Sequence, residues 1–380
     1  MRVIFFAAIA CLGLFCLAAC GEQANTPTAV EAAPAPDPVG VIASDALPGL
    51  NAAPTGIDFW IHPNVSFNSL IIVASDDGLA SYNIENGDEV SRAPGVSMNG
   101  VAVSYIGFGP LAAGIVATFD ETENAIQFFG VDNVTRLFVP LSGGPTVRGA
   151  VRGFCMGRAA TSPDPTLFVI QRSEMTIYNV TPTMNGEMAG VAISGETGLQ
   201  IPETATACAV DTTGVAYVLA SNGEIFRVDS ENAFDAPFAV AFADGADEIA
   251  FLGASTDDDA PSVQGQIVVL DRDTGIVEFF DAEDGHALGA IRIDAADDIE
   301  AVTQSTAMGA SGANLGGLYR DGAIALGVAS EAPAVRLIPA NGAANALSVP
   351  SLAPANPRGD TPAREGTSDL IINPTVPVSE

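Results

Sequence analysis

Carboxylate side chains are the groups in this 380-residue chain best suited to chemistry. The sequence contains three acidic clusters: Asp244, Asp247 and Glu248; then 257–259; then Asp294, Asp297, Asp298 and Glu300. Hard cations such as calcium take about six to eight oxygen ligands, which acidic loops can supply. The segment 271–275 (DRDTG) has the spacing of a calcium loop, although we favour a plain hairpin turn there. The clusters therefore indicate divalent-cation chemistry as the first class to consider.

The sequence has few of the residues that nucleophilic or zinc-dependent catalysis requires. The chain has 2 histidines, His62 and His286, and it contains no Gly-x-Ser-x-Gly segment. A Ser/His/Asp or Cys/His arrangement depends on a positioned histidine, and a histidine-based zinc site needs several ligands close together. We therefore set both classes aside.

The charge of the chain is strongly unbalanced. It has 46 acidic residues against 14 basic ones, all of them arginine, and a formal net charge of −32. Phosphate backbones and anionic lipid surfaces attract basic proteins and repel acidic ones. The composition therefore argues against nucleic-acid or anionic-lipid binding by the domain itself.

One structural unit repeats about every fifty residues along the chain. Each copy opens with an apolar strand, continues through an acidic or glycine turn and ends in an alternating strand. The openings lie at 70–73, 114–117, 167–170, 216–219 and 267–270, with a weaker sixth copy near 315–328. Units of this size are typical of propeller blades, which bury their faces only when neighbours close a ring. We predict an all-β fold, a six-bladed β-propeller of four-stranded antiparallel blades.

The turns between these strands support the assignment. Asx-Gly pairs lie at 77–78, 222–223, 284–285 and 321–322, each between alternating segments. Such pairs tolerate the positive φ angles that two-residue hairpins require. We find no sustained helical periodicity after the first twenty residues.

The first residues have the pattern of an export signal. Arg2 precedes an apolar run at 3–17, and the run ends in Leu-Ala-Ala-Cys-Gly with Cys20 as its cysteine. This segment resembles the lipobox of bacterial lipoproteins. The resemblance implies lipidation of Cys20 and attachment to the outer membrane, with the domain exported to the periplasmic face or the cell surface. An ordinary secretory signal that is cleaved elsewhere is the alternative.

These observations divide the chain into four parts. We predict a signal peptide at 1–19, a flexible Ala/Pro-rich tether at 20–53, the propeller at 54–345 and a Pro-rich tail at 346–380. The tail contains the apolar segment 369–372, which could add one closing strand. We expect the propeller to be monomeric.

Two cysteines remain in the predicted domain, Cys155 and Cys208. They occupy comparable places just before the strand pairs of successive blades. Export permits a disulfide between them. Two separate buried thiols are equally compatible with the sequence.

Several segments, in order along the chain, resemble the β-propeller phytases. The segment 59–64 (FWIHPN) is similar to the family's I-W-V-H-P, and 78–82 (GLASY) is similar to its G-G-L-x-V-Y hairpin. Further matches are 153–156 (GFCM) to G-x-C-L-Y, 207–211 (ACAVD) to E-G-C-V-A-D-D, and 289–293 (GAIRI) to V-G-S-F-R-I. The similarity spans about 54–330. It implies a six-bladed propeller whose acidic axial cleft binds several calcium ions and hydrolyses phosphate esters of inositol.

The match is weakest at the family's functional positions. The resemblance assigns catalytic roles to Arg172 and Glu248 and metal ligation to Asp211, Glu248, Asp297 and Glu300. The family's paired aspartates before the tryptophan become Thr55-Gly56, its hairpin lysines become 75–77 (SDD), and a further arginine becomes Ser104. Losing these groups together weakens both metal binding and transition-state stabilisation.

Two functions are compatible with these residues. The first is a calcium-dependent phosphomonoesterase that acts on inositol phosphates (phytate) or related small phosphate esters. The second is a catalytically degenerate propeller, attached to a membrane through Cys20, that binds a ligand or partner. The resemblance favours the first function, and the missing residues favour the second.

Overall fold

The structure is a computed structural model that describes residues 36–47, 49–94, 97–159, 162–185, 188–228, 237–253, 265–296, 299–329 and 334–359. Six sheets, each built on four antiparallel strands, form a ring, and the innermost strands of consecutive sheets contact one another all the way round. The predicted all-β, six-bladed propeller is therefore confirmed.

Within each blade, the run of consecutive strands starts at the axis, and each following strand of the run lies further out. Blade 1 contains β3 (Pro54–Trp60), β4 (Leu70–Ser75), β5 (Gly78–Asn83) and β6 (Glu89–Pro94). Blade 2 contains β7 (Met98–Ile106), β8 (Ala113–Asp120), β9 (Ala125–Val131) and β10 (Phe138–Leu141). Blade 3 contains β11 (Gly153–Gly157), β12 (Thr166–Gln171), β13 (Glu174–Asn185) and β14 (Met188–Gln200).

The remaining blades follow the same plan. Blade 4 contains β15 (Ala205–Val210), β16 (Ala216–Ala220), β17 (Glu224–Val228) and β18 (Phe238–Phe242). Blade 5 contains β19 (Glu248–Gly253), β20 (Gly265–Asp271), β21 (Ile276–Asp281) and β22 (Ala287–Asp294). Blade 6 contributes β23 (Ala307–Ser311), β24 (Ala323–Val328) and β25 (Ala334–Pro339).

Two strands from the predicted tether complete the ring. β2 (Asp45–Ala46) pairs antiparallel with β25 and becomes the fourth strand of blade 6. β1 (Val39–Ile42) pairs parallel with β22 as a fifth strand of blade 5. The structure therefore differs from the predicted tether boundary, because 39–46 pair with blade edges that would otherwise be open. The segment 369–372, the other candidate closing strand, lies outside the described residues.

The core is built on the second strand of each blade. Every residue of β4, β8 and β16 is buried, and in β12, β20 and β24 only end residues are partly exposed. These strands contain the predicted apolar openings. They have neighbours on both edges and a packed blade on each face, so their sequences are continuously apolar rather than alternating.

Glycines allow the innermost strands to approach closely at the axis. A Cβ atom at Gly56 would lie 2.6 Å from the Cα of Gly100 on the next blade. A Cβ at Gly309 would lie 2.5 Å from the carbonyl oxygen of Ile57. Both positions exclude a side chain because the main chain of the neighbouring blade fills the space.

Asparagine and aspartate side chains stabilise several of the turns. Asn83, Asp120, Asp132, Asp271 and Asp281 each accept hydrogen bonds through one side-chain oxygen from the N–H groups two and three residues further on. This is the Asx-turn pattern. The structure confirms a plain hairpin turn at 271–275.

Helix is scarce in the described part of the chain. One α-helix, α1 (Ala340–Leu347), follows β25, and short 3-10 turns lie at Ser66–Asn68, Gly109–Leu111 and Gly317–Tyr319. None of the helices that the structure describes has the length and hydropathy needed to cross a membrane.

Candidate functional site

A central channel runs along the axis of the ring. Its volume is about 920 Å³, and the innermost strands of all six blades, β3, β7, β11, β15, β19 and β23, form its wall. Each of these strands pairs with a neighbour of its own sheet on one side only. The wall therefore presents main-chain N–H and C=O groups as well as side chains.

The two ends of the channel differ. All six innermost strands begin at one end, which we call the mouth, and finish at the other, which we call the base. The exposed side chains of Asn99, Arg152 and Asp247 line the mouth. The segment 355–359 lines the channel at the base, and its first residue donates a hydrogen bond from N–H to Gly312 O at 2.9 Å. We call 355–359 the strap.

Arg358 holds the strap in place. It is 3% exposed, and its guanidinium donates hydrogen bonds to Ile61 O at 3.0 and 2.6 Å and to Ala112 O. The same group lies 4.5 Å from the ring centre of Tyr105 and 5.4 Å from that of Trp60. The strap is therefore fixed to the first two blades as well as to blade 6.

A disulfide joins two innermost strands in the channel wall. Cys155 of β11 and Cys208 of β15 are bonded, with their Cα atoms 5.6 Å apart. The bond links blade 3 to blade 4. The sequence left a disulfide and two free thiols open, and the structure has the disulfide.

Asp58 is a carboxylate that links two blades across the wall. Its Oδ1 accepts the Phe59 N–H at 2.7 Å, and its Oδ2 accepts the Val103 N–H on β7 at 2.6 Å. Burial in the wall raises the pKa of Asp58 to about 7, although both hydrogen bonds favour the charged form. No positive group compensates this burial among its hydrogen-bond partners.

Glu248 is a second carboxylate in the channel wall, at the start of β19. Its Oε1 accepts a hydrogen bond from Arg272 Nη2 at 3.0 Å, and its side chain is 15% exposed. Oε2 has no hydrogen-bond partner among the described residues. Burial raises the pKa of Glu248 to about 7, and the nearby Arg272 limits the rise. At neutral pH both wall carboxylates are therefore partly protonated.

These two raised pKa values predict how stability depends on pH. Between about pH 4 and pH 7 the folded protein keeps protons that the unfolded chain releases, so stability falls as pH rises and levels off above pH 7. From pH 5 to pH 8 we expect each of the two carboxyl groups to lower the free energy of unfolding by about 2.5 kcal/mol, measured in urea titrations. Glu248→Gln keeps an acceptor for Arg272 and should remove roughly half of this dependence. A free energy of unfolding that rises from pH 5 to pH 8 would contradict the raised pKa values of Asp58 and Glu248.

The structure does not bring the predicted metal ligands together. Asp211, 3% exposed, follows β15 at the base, where Oδ1 accepts the Thr213 N–H at 2.7 Å. Glu248 begins the neighbouring parallel strand at the mouth. About five residues at roughly 3.3 Å each separate the two levels, or about 16 Å, too far for one calcium ion. Burial raises the pKa of Asp211, which disfavours its charged form.

The other predicted residues do not complete a site. Glu300 is exposed, in the connection before β23, and Arg172 is exposed, in the turn between β12 and β13. Asp297 lies outside the described residues. The donor set implied by the phytase resemblance therefore does not fit a shared calcium site in the described part of the chain.

One other group could offer metal ligands. In the described ranges, Asp281, Asp284 and His286 place one ligand atom each within 4.8 Å of one another, on the outer turn of blade 5. His286 Nδ1 lies 2.5 Å from Asp284 Oδ1, and this contact raises the pKa of His286. Asp284 and His286 are exposed, so the group is a surface hydrogen-bonded turn remote from the channel.

A cluster of arginines at the mouth was not predicted from the sequence. Arg148, Arg152 and Arg172 are all exposed, and all lie where the chain enters β11 or turns from β12 to β13. Arg152 lines the channel itself, and the other two lie beside its mouth. None of them has a described carboxylate oxygen within 4 Å. With Arg158, they place 4 of the chain's 14 arginines within 148–172, where Asp164 is the single acidic residue. This local excess of basic over acidic residues is the feature of the sequence from which the cluster could have been predicted.

Comparisons with known proteins do not identify a family. No protein-family model and no curated protein matches the chain. The solved structure of Kluyveromyces lactis Hsv2 is similar over 73% of this chain and 71% of its own, with 10% sequence identity and a TM-score of 0.38. Kluyvelomyces marxianus Hsv2 is similar over 73% of each chain, with 13% identity and a TM-score of 0.37. At these values the similarity carries no inference about function.

Proposed function

We propose that this chain is a binding propeller that holds a small anionic molecule at the mouth of its central channel without hydrolysing it. The observation that carries this proposal is the cluster of Arg148, Arg152 and Arg172, which has no carboxylate partner among the described residues. In a chain with a net charge of −32, anions are repelled nearly everywhere else. Guanidinium groups bind carboxylates and phosphates through paired hydrogen bonds.

The channel supports a ligand of metabolite size. Its volume of about 920 Å³ lies within the range of about 300–1,000 Å³ usual for small-molecule sites. The raised pKa values of Asp58 and Glu248 reduce the negative charge that an anion would meet in the wall. Main-chain N–H groups of the innermost strands can donate to the ligand.

The phytase resemblance supports a second candidate, a calcium-dependent phosphomonoesterase acting on phytate or related esters. Glu248 favours it, since a carboxyl group with a pKa of about 7 suits proton transfer at neutral pH. The separation of Asp211 from Glu248 opposes it, because the implied calcium ligands do not converge. We therefore place binding first.

We further propose that the protein is exported and attached to the bacterial outer membrane through a lipid on Cys20, with a monomeric propeller. The lipobox pattern is the basis of this proposal, and residues 1–35 lie outside the described residues. The disulfide between Cys155 and Cys208 agrees with an oxidising compartment.

Titration with inositol hexakisphosphate tests the proposed binding. We expect heat of binding in isothermal titration calorimetry both with calcium and with EDTA, and no release of inorganic phosphate. Arg152→Ala should weaken the affinity by about 10-fold or more, since a hydrogen bond to a charged group contributes about 1.5–3 kcal/mol. Arg292→Ala, an exposed arginine on the outer strand β22, is the matched control and should leave the affinity unchanged.

Two results would overturn the proposal. Phosphate release that requires calcium and disappears in Glu248→Ala would establish the phosphomonoesterase instead. The absence of binding, or equal binding by the parent and Arg152→Ala, would show that the arginine cluster is not an anion site.

A further inference from the structure

Apolar side chains are exposed together on the base of the propeller. Nine large hydrophobic side chains are exposed in the described ranges, and five of them lie in loops at the base of blades 6, 1 and 2. Their exposures are Leu318 65%, Phe67 50%, Leu111 76%, Val134 82% and Leu137 47%. Exposed apolar groups gathered on one surface mark an interaction site rather than chance exposure.

The loops that hold these side chains adjoin one another. We call the four loops 61–69, 107–112, 133–137 and 313–320 the base loops. Gly316 packs against Phe67, since a Cβ at Gly316 would lie 2.8 Å from the Phe67 nitrogen. Arg136 Nη1 donates to Asn68 O at 3.4 Å, and Asn133 Nδ2 donates to Ala112 O at 3.4 Å. The apolar side chains therefore share one continuous surface.

This surface differs in charge from the rest of the protein. The base loops contain no aspartate or glutamate, whereas the chain has 46 acidic residues in 380. They contain Arg136 and the exposed Arg320. Asp132 is 2% exposed and caps its own turn, and Asp321 accepts a hydrogen bond from Asn341 Nδ2 at 3.1 Å. The exposed carboxylates of Glu85 and Asp88 lie next to loop 61–69, in the turn that follows β5. The base loops thus form a surface without the negative charge that dominates the chain.

The described chain also begins at the base. β1 runs parallel to β22, which runs from the base toward the mouth. Val39 pairs with Ile291 in the middle of β22, so the residues before Val39 lie toward the base. Arg292 Nη1 donates to Pro38 O at 2.7 Å, which fixes the chain there. Sixteen residue steps separate Cys20 from Pro36, a reach of no more than about 55 Å. A lipid on Cys20 would therefore join the propeller from the side of the base and keep the base within reach of the bilayer.

We propose that the base loops dock on a lipid bilayer, with Phe67, Leu111, Val134 and Leu318 inserted among the lipids and Arg136 and Arg320 at the headgroup level. This proposal rests on the membrane attachment through Cys20 proposed above. Apolar side chains on loops that contain no carboxylate can insert into a bilayer, whereas the acidic surface that dominates a chain at −32 does not. Docking would leave the mouth of the channel facing away from the membrane.

Quenching by brominated lipids tests which face meets the bilayer. The Leu111→Trp variant of the full, lipidated chain carries a reporter tryptophan in the base loops. It is reconstituted in phosphatidylcholine vesicles whose acyl chains are brominated. The native Trp60 is 0% exposed, so the parent protein gives the background. We expect the added fluorescence to fall by about half relative to unbrominated vesicles, since side chains inserted about 5–10 Å deep lie within reach of acyl bromines.

The matched control is Thr122→Trp on the same blade. Thr122 is exposed in the turn between β8 and β9, at the mouth, and its tryptophan should not be quenched. Adding Phe67→Asp and Leu318→Asp to Leu111→Trp should remove the quenching. Vesicle flotation separates the lipid anchor from the docking of the base loops. If the protein floats with the vesicles but the tryptophan of Leu111→Trp is not quenched, the anchor is supported and the docking is overturned. A chain that does not float overturns both, and docking on a partner protein would then be the interpretation of the exposed loops.

Discussion

Replacing Arg358 with methionine is expected to lower the free energy of unfolding by about 3–5 kcal/mol. Methionine has a similar length and an apolar character, so it fills much of the space but donates no hydrogen bond. The loss removes the guanidinium donors of Ile61 O and Ala112 O, and Ala112 O keeps only the weaker bond from Asn133 Nδ2 at 3.4 Å. A buried polar group left unpaired costs about 1–3 kcal/mol, and the contacts with Tyr105 and Trp60 are lost in addition.

The environment of Arg358 makes this effect large. It is 3% exposed and has no carboxylate within 4 Å among the described residues, so carbonyl oxygens and aromatic faces alone compensate its charge. Burial lowers the pKa of Arg358 for the same reason. Arg358→Lys should recover part of the stability only, because an ammonium group cannot donate in the fixed fork that reaches both carbonyls.

Urea denaturation followed by tryptophan fluorescence measures the change. Trp60, the single tryptophan, lies under Arg358 and reports on the same site. Arg320→Met, at an exposed arginine on the same end of the propeller, should change the free energy of unfolding by less than about 0.5 kcal/mol. A similarly small change in Arg358→Met would show that the strap does not depend on this side chain.

The blade architecture could be predicted because every blade imposes the same requirements on its sequence, namely a fully buried second strand and tight hairpin turns. A second strand with neighbours on all sides must be continuously apolar, which is why 70–73 and 267–270 are recognisable in the sequence. Hairpins require positive φ, which identifies the turns at Gly78 and Gly223. The outermost strands are less constrained, since one edge and part of one face meet solvent. β1 and β2 are four and two residues long, too short to differ from an Ala/Pro-rich tether.

The candidate site was less predictable, and the carboxylates show why. Aspartate followed by polar residues and glycine fits both a calcium loop and an Asx turn, and only the structure distinguishes them. Asp271 is used in a turn, and Asp211 also caps the turn that follows its strand. Motif matching further cannot tell which end of a strand a residue occupies. Asp211 and Glu248 therefore appeared as one ligand set although they lie at opposite ends of neighbouring strands.

Opening the disulfide in the channel wall is the second large effect that we expect. The double variant Cys155→Ala, Cys208→Ala should lose about 3–4 kcal/mol of unfolding free energy. Bonded cysteines 53 residues apart restrict the unfolded chain, and the chain-entropy relation gives about 4 kcal/mol for a loop of this length. Single cysteine variants are less suitable because they leave a free thiol.

Denaturation of the full chain in guanidinium chloride tests this expectation. The oxidised parent should unfold at a higher denaturant concentration than the double variant, and a reducing agent should bring the parent to the midpoint of the variant while leaving the variant unchanged. Adding the reducing agent to both proteins separates the loss of the bond from the loss of two sulfur atoms. Equal midpoints for the oxidised parent and the variant would show that packing between β11 and β15 holds blades 3 and 4 together without the covalent link. In that case the bond restricts the unfolded chain too little to matter.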